Sequence, residues 1–221
     1  MAENYKVGTR ISHLALKQVE ETLVTLRKFY PDFKAEVVGI ETYGDKDKMT
    51  PISEIEGTDF FTREIDQALL DGKIDFAVHS AKDLPGDIPD GLYVVAITKA
   101  IYPHDALVSK HNLRLDELRK GAKVGASSLR RKTQLKKYRE DFQIVDIRGT
   151  IEERLWILDT NGLDAIIVAE CALARLGLKN RIIQRIPFEI LKPNPLQGAL
   201  AVLVRQDNQK LKDLLKVLDE R

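Results

Sequence analysis

The chain has 221 residues, 43% of them hydrophobic and 31% charged, a composition that excludes a disordered chain. Its 35 basic and 34 acidic side chains leave a net charge of +1, which indicates neither a nucleic-acid binder nor a membrane-surface protein. A single cysteine excludes an internal disulfide, and no apolar signal core or bilayer-spanning run is present, so we expect a cytoplasmic protein.

The first half of the chain predicts strands alternating with helices. Short apolar runs predict strands over residues 5–9, 35–41, 75–79, 92–98 and 105–109. Ser12 is placed to cap a helix whose Leu16, Val19, Leu23 and Leu26 recur at helical spacing. A second helix is predicted over residues 61–70, ended by Asp71 and Gly72.

The second half continues the same alternation. Strands are predicted over residues 123–126, 143–147, 164–169 and 198–205, and helices over residues 128–138, 150–159 and 208–220. Such alternation is typical of an α/β protein with parallel or mixed sheets covered by helices.

Polar residues gather in three loops that follow predicted strands, at residues 10–12, 80–83 and 127–131. Ligands of open α/β sheets bind beside the carboxyl ends of strands. The sequence therefore predicts a binding site built from these loops.

The densest of these features is the segment 125–131, which follows a strand and opens a helix. Free N–H groups, the hydroxyls of Ser127 and Ser128, and the guanidiniums of Arg130 and Arg131 would together receive a carboxylate or a phosphate. A solvated basic helix start, with Ser128 as an ordinary cap, explains the same residues equally well.

A similar pattern follows the strand at residues 143–147. Arg148 precedes a tight turn at Gly149 and a helix cap at Thr150, and Arg154 lies one turn further on. Arg148 and Arg154 could face one opening, although an ordinary surface pair of Arg154 with a neighbouring glutamate is favoured when that residue is taken alone.

Lys82 and Asp83 are adjacent residues that come shortly after an apolar strand. A charged pair in that position is costly unless it is partnered or functional, and a desolvated aspartate can stabilise a cation or move protons. The alternative is a turn aspartate beside a solvated lysine. His79 and Cys171 are interpreted as buried, unreactive side chains, and no spacing predicts a metal site or a Ser–His–Asp triad.

The polar segment 44–49 is interpreted as mobile. With the irregular segment 54–59 it is long enough to form a lid, and a plain surface loop is the alternative.

These motifs, in this order, resemble the hydroxymethylbilane synthase family, also called porphobilinogen deaminase. The matching stretches run over residues 8–16, 79–85, 125–131, 148–150, 164–167, 175–178 and 197–199. The resemblance covers essentially the whole chain.

The resemblance implies two domains like those of type II periplasmic binding proteins, with mixed sheets covered by helices and a hinge between the lobes. Domain 1 would comprise residues 1–98 plus 198–221, and domain 2 residues 99–197. The family's third domain, with the cysteine that carries its dipyrromethane cofactor, has no counterpart, so the cofactor is expected to be held non-covalently or to be missing. A separate polypeptide supplying that domain is a further expectation.

The resemblance also implies the reaction and its residues. Family members condense porphobilinogen units with loss of ammonia in tetrapyrrole (haem) biosynthesis, and Asp83 matches their catalytic aspartate. Residues that match positions binding the pyrrole carboxylates are Arg10, Ser12, Lys82, Ser127, Ser128, Arg130, Arg131, Arg148, Arg154 and Arg175, and Gln197 belongs to the last matching stretch.

The chain also departs from the family pattern. Tyr43, Glu54, Thr58 and His104 stand where the family has basic residues. A non-catalytic or altered-reaction homologue that binds a pyrrole or another poly-carboxylate in an inter-domain cleft is therefore the alternative function. We expect a monomer that binds a small pyrrole substrate and neither nucleic acid nor a membrane.

Overall fold

A computed structural model describes residues 4–47, 49–50 and 58–221 of the chain. These residues pack into two compact units, each with its own sheet. Unit 1 comprises the described residues up to 46 together with 58–101 and 198–221, and unit 2 comprises residues 47, 49–50 and 102–197. No helix in these ranges is long and apolar enough to cross a membrane.

The elements follow one another in the alternating order expected of an α/β protein. The strands are β1 (Asn4–Arg10), β2 (Lys34–Ile40), β3 (Phe76–Ser80), β4 (Leu92–Ile97), β5 (Asp105–Ser109), β6 (Lys123–Ala126), β7 (Gln143–Asp146), β8 (Ala165–Ala169), β9 (Gln184–Arg185) and β10 (Leu200–Arg205). The helices are α1 (His13–Phe29), α2 (Tyr43–Lys46), α3 (Arg63–Leu70), α4 (Leu129–Tyr138), α5 (Ile151–Thr160), α6 (Glu170–Arg175) and α7 (Gln209–Leu215). Short 3-10 helices lie at Ala81–Asp83, Lys110–Asn112, Lys179–Arg181 and Lys216–Leu218.

The sheet of unit 1 has the strand order β2-β1-β3-β10-β4. Strands β1, β2 and β3 are parallel, whereas β10 runs antiparallel between β3 and β4. Alternate residues of β3 and β10 enter two separate apolar clusters, one with α1 and α7 and the other with α3. Both faces of this sheet are therefore covered, which explains why its strands read as continuous apolar runs.

Helix α1 shows how the sequence pattern sets the packing. Ser12 accepts a hydrogen bond from the Ala15 amide at 3.3 Å and caps the helix as predicted. Val19, Leu23 and Leu26 are buried, but Leu16 is 40% exposed. Helical spacing groups Leu16 with these residues, but Ala15, one residue earlier, is the buried member of that turn.

The sheet of unit 2 has the order β7-β6-β8-β5-β9, again with a parallel group and an antiparallel strand beside it. Strands β6, β7 and β8 are parallel, and β5 runs antiparallel to β8. One apolar cluster under this sheet contains Leu107, Val124, Leu135, Phe142 and Ile167. Each unit therefore has its own core.

Two short elements escaped the sequence analysis. Strand β9 has two residues and α2 has four, too few for any hydrophobic period to show. The described part of the predicted lid is not wholly polar and exposed: Gly44 is buried in α2, where a Cβ atom would lie 2.3 Å from the Phe61 ring. Residues 48 and 51–57, including Glu54, lie outside the described residues, so the lid stays a prediction.

Candidate active site

In unit 1 the predicted binding residues gather at one edge of the sheet. Strands β1 and β3 are parallel neighbours, with Val7 opposite Phe76, so their carboxyl ends lie at the same edge. Arg10 ends β1, and the 3-10 helix with Lys82 and Asp83 follows β3 directly. The topology thus brings two of the three predicted loops together.

Arg10 is held by an acidic partner within unit 1. Its Nε donates to both carboxylate oxygens of Asp45 at 3.1 and 3.3 Å, and its Nη2 donates to the same carboxylate. The guanidinium carbon also lies 4.5 Å from the centre of the Phe61 ring, a cation–π contact. Two separate contacts therefore fix the Arg10 side chain.

Asp45 is itself held firmly. Its Oδ2 accepts from the Thr42 amide at 3.0 Å and from the Thr42 hydroxyl at 2.8 Å. Burial works to raise the pKa of Asp45, but the hydrogen bonds and charge of Arg10 together with the Thr42 bonds outweigh it and leave the pKa below its ordinary value. The contacts with Arg10 and Thr42 therefore favour the ionised form of Asp45.

The other predicted residues of unit 1 surround this edge. Ser12 is half-exposed and uses its hydroxyl to cap α1. Lys82 and Asp83 are half-buried at the end of β3, where the Ala81 amide donates to the Ala199 carbonyl at 3.0 Å. This bond ties the Asp83 segment to the start of β10 and limits its movement.

A buried polar pair lies on the neighbouring elements. His79 of β3 and Asp66 of α3 are both about 5% exposed or less, and His79 Nε2 lies 4.0 Å from Asp66 Oδ1. Burial, with a smaller effect from the Arg10 charge, lowers the pKa of His79 to about 4. His79 is thus buried as the sequence predicted, but its Nε2 has no hydrogen-bond partner among the described residues.

In unit 2 the predicted residues also converge on one sheet edge. The parallel strands β6, β7 and β8 end there, and α4, the Arg148 turn and α6 follow them. The Ser127 hydroxyl donates to the Ile147 carbonyl at 2.9 Å, which joins the loops after β6 and β7. Ser128 caps α4 by accepting from the Arg131 amide at 3.3 Å.

Arg130 and Arg131 share one buried carboxylate. Asp105, which opens β5 at the same edge and has no exposed area, accepts from Arg130 at 2.8 Å and from Arg131 at 2.5 Å. The Gln197 amide nitrogen also donates to Asp105 at 2.9 Å and to the Pro103 carbonyl at 2.9 Å. Arg131 and Gln197 are buried with it.

The two guanidiniums determine the charge of Asp105. Burial alone would raise its pKa, but the opposed charges and hydrogen bonds of Arg131 and Arg130 hold the pKa far below the ordinary range. One negative charge thus faces two positive charges, so this buried cluster carries net positive charge. Ser127, Arg131 and Gln197 are fixed parts of unit 2, and Arg130 remains partly exposed.

The remaining arginines of unit 2 lie on the following turns. Arg148 is half-buried, and its Nη2 donates to the Asp47 carbonyl at 2.6 Å. Arg154 donates from Nε to the Gly149 carbonyl at 2.9 Å, and Arg175 ends α6. The turns after β6 and β7 therefore bring basic side chains to the edge, whereas Arg175 lies at the end of α6 away from β8.

Sequence reasoning missed the acids that hold these arginines. Asp45 lies in a polar segment that looks solvated, so no signal marked it. Asp105 did carry a signal, since a lone acid at the head of an apolar strand is costly to bury without a cation. Within the described residues, no group of three or more His, Cys, Asp or Glu side chains is placed to hold a metal ion.

Solved structures place this architecture in a known class. The methionine-binding protein MetQ matches 97% of this chain and 88% of its own, with a TM-score of 0.57 and 17% identity. A variant of the OxyR2 regulatory domain from Vibrio vulnificus matches 98% and 96%, with a TM-score of 0.53 and 15% identity. The chain is an α/β protein with the fold of type II periplasmic binding proteins, as predicted.

Sequence comparison gives the family. Residues 5–213 match the family model described as porphobilinogen deaminase, dipyromethane cofactor binding domain. The porphobilinogen deaminase of Natranaerobius thermophilus is 45% identical over 97% of this chain and 70% of its own length. That of Pelotomaculum thermopropionicum is 42% identical over 100% and 71%. The chain belongs to the porphobilinogen deaminase family, which confirms the resemblance.

Proposed function

We propose that the chain is a hydroxymethylbilane synthase-type transferase, which condenses porphobilinogen units with loss of ammonia in tetrapyrrole biosynthesis. Family membership over nearly the whole chain is the observation that carries this proposal. Porphobilinogen carries an acetate and a propionate, so a growing chain of rings is a poly-anion that needs fixed cations.

The basic set of unit 2 suits such a ligand. Arg130, Arg148 and Arg154 lie on adjacent turns at one sheet edge, all three are only half-buried, and guanidiniums are the groups that pair with carboxylates in a bidentate way. The buried Asp105–Arg131–Gln197 cluster supports Arg130 from within. We assign Arg131, Ser127 and Gln197 to holding this edge in shape.

Asp83 is the proposed catalytic residue. Loss of ammonia breaks the C–N bond of the aminomethyl group and leaves a cationic azafulvene, to which the free α-carbon of another pyrrole adds before it loses its proton. A half-buried carboxylate at a strand end can stabilise that cation and accept that proton. Lys82, its neighbour, is proposed to contact a ligand carboxylate.

The residues present fit the dipyrromethane named in the family description, because a pyrrole cofactor with acid side chains needs the same guanidinium and hydroxyl donors. Arg130, Arg148 and Ser128 would hold it, and when bound it supplies the pyrrole carbon to which new rings are joined. Cys171 is 5% exposed within α6, so attachment at that sulfur would require α6 to open.

The decisive experiment compares the wild type with Asp83→Asn and the control Asp87→Asn. Asp87 is an exposed acid four residues further along the same loop. Incubation with porphobilinogen should release ammonia and uroporphyrin-forming product from the wild type and from the control, and at least about 100-fold more slowly from Asp83→Asn. Circular dichroism should be the same for all three proteins.

The other outcomes are equally clear. Wild-type rates in Asp83→Asn would refute the role of Asp83. Saturable binding of porphobilinogen without ammonia release by the wild type would favour the alternative, a non-catalytic binder. Intact mass after mild denaturation would show whether a pyrrole is attached covalently, and light scattering would test the proposed monomer.

A further inference from the structure

One acidic side chain of unit 1 has a place in the site that the proposed function leaves unassigned. Asp45 contacts Arg10 only through the Nε and Nη2 atoms of the guanidinium. Among the hydrogen bonds of the described residues, none uses Arg10 Nη1. The Arg10 side chain is 27% exposed and that of Asp45 is 12% exposed. The acid is therefore the more deeply placed partner.

The segment that carries Asp45 is attached to the rest of unit 1 by its backbone. The Gly44 amide donates to the Phe60 carbonyl at 3.1 Å, and the Tyr43 amide donates to Glu64 Oε1 at 3.0 Å. The contact of Gly44 with the Phe61 ring leaves no room for a side chain at that position. Asp45 is thus presented to Arg10 from a fixed piece of backbone.

An arginine has several rotatable bonds, and fixing them on ligand binding costs rotamer entropy. An internal carboxylate that already fixes the guanidinium removes that cost in advance. It does so without using the whole donor set, because a guanidinium has five N–H groups.

We propose that Asp45 is a positioning residue, which holds the Nε–Nη2 edge of Arg10 so that the Nη1 end is presented to a carboxylate of the pyrrole ligand. The inference rests on the proposed function and deepens it. Asp45 itself does not touch the ligand. Its charge also keeps Arg10 from being an uncompensated cation beside the buried His79.

The test compares Asp45→Ala and Asp45→Asn with the control Asp32→Ala, which removes an exposed acid of unit 1. Steady-state kinetics with porphobilinogen should show KM raised about tenfold in Asp45→Ala, with kcat changed much less, because the loss is in ligand binding. Asp45→Asn should fall between Asp45→Ala and the wild type, since the amide oxygen still accepts from Arg10. The control should match the wild type.

The order of the KM values of the wild type, Asp45→Asn and Asp45→Ala distinguishes a positioning role of Asp45 from a purely electrostatic one. Both substitutions remove the same negative charge, so a purely electrostatic role would give equal effects and, for an anionic ligand, a lower KM. An unchanged or lowered KM in Asp45→Ala overturns the proposal. In an Arg10→Gln background the Asp45→Ala substitution should add nothing further, whereas a merely structural role would still lower the melting temperature there and leave KM alone.

A second measurement does not depend on turnover. An arginine-selective dicarbonyl reagent, followed by peptide mass spectrometry, should label Arg10 several-fold faster in Asp45→Ala than in the wild type or in Asp32→Ala. Equal labelling would refute the Asp45–Arg10 assignment even if the wild type is active. If the wild type releases no ammonia, the proposed function fails, and the labelling rates alone still decide whether Asp45 holds Arg10.

Discussion

At the scale of single residues, Asp66 and His79 are two buried titratable groups with opposite pKa displacements. Burial, with a smaller effect from the Asp59 charge, raises the pKa of Asp66 to about 6. Burial, with a smaller effect from Arg10, lowers the pKa of His79 to about 4. In both cases the folded protein favours the neutral form.

The two displacements act on stability with opposite signs. Folded Asp66 binds its proton more tightly than unfolded Asp66, so its contribution is fully present below the ordinary aspartate pKa and is lost as the pH rises towards 6. Folded His79 binds its proton less tightly, so its contribution is lost as the pH falls from its ordinary pKa towards 4. Between about pH 4 and 6 the changes in stability that Asp66 and His79 cause therefore largely cancel.

We therefore expect Asp66→Asn to reveal the pH dependence of the free energy of unfolding that His79 causes. The free energy of unfolding of this variant, measured with urea between pH 4 and 7, should fall relative to the wild type as the pH is lowered, by on the order of 2 kcal/mol. His79→Gln should show the reverse, a relative loss as the pH rises through about 6. Parallel pH profiles for both variants and the wild type would contradict the two pKa displacements.

The sequence identified the cations of the proposed site and not the acids that hold them. Arg10, Arg130 and Arg148 could be found because each lies at or shortly after the end of a strand, a local pattern that sequence shows directly. The pairing of Asp45 with Arg10 spans 35 positions, and that of Asp105 with Arg131 spans 26. Such contacts depend on strand order, which no local pattern carries.

At the scale of elements, helix starts were the best predicted features. Ser12, Ser128 and Thr150 were each placed at a helix start, and each accepts a hydrogen bond from an amide in the first turn. A cap is a contact over three residues, so its signal is wholly local. The helical spacing of Leu16 did not predict its 40% exposure, because the exposure of one helical position depends on what packs against it.

Helix α5 offers a direct test of the cap. Thr150 and Glu153 form a reciprocal pair: the Glu153 amide donates to the Thr150 hydroxyl at 3.2 Å, and the Thr150 amide donates to Glu153 Oε2 at 2.7 Å. Thr150→Ala should lower the free energy of unfolding by about 1 kcal/mol, measured by urea titration with Trp156 fluorescence. Thr133→Ala, an exposed substitution inside α4, is the control, and an equal loss there would contradict the cap.

At the scale of the whole molecule, unit 1 is assembled from distant parts of the chain. Strand β10 lies between β3 and β4 and pairs with both. The run of apolar residues predicted that β10 is a strand. It did not predict that β10 lies between β3 and β4, because the sequence shows only that the strand must be buried. The family resemblance, and no property of the run itself, implied that the chain returns to the first domain.

We expect a chain ending at residue 197 to lose the unit 1 sheet. Removing β10 leaves β3 and β4 without their shared partner and exposes the residues it covers, including Phe76 and Ala77. Hydrogen exchange should show loss of amide protection in β3 and β4, while β5, β6 and β8 keep theirs. A chain ending at residue 220 is the control, and persistent protection of β3 in the shorter chain would contradict this view.

The late return of β10 has a consequence for synthesis on the ribosome. Strands β1, β2, β3 and β4 emerge from the ribosome first, followed by residues 102–197 of unit 2. Strand β10 emerges only afterwards. Unit 2 can therefore reach its native state while the sheet of unit 1 still lacks β10. Throughout that interval the unpaired margins of β3 and β4 are open to chaperones, and to other nascent chains.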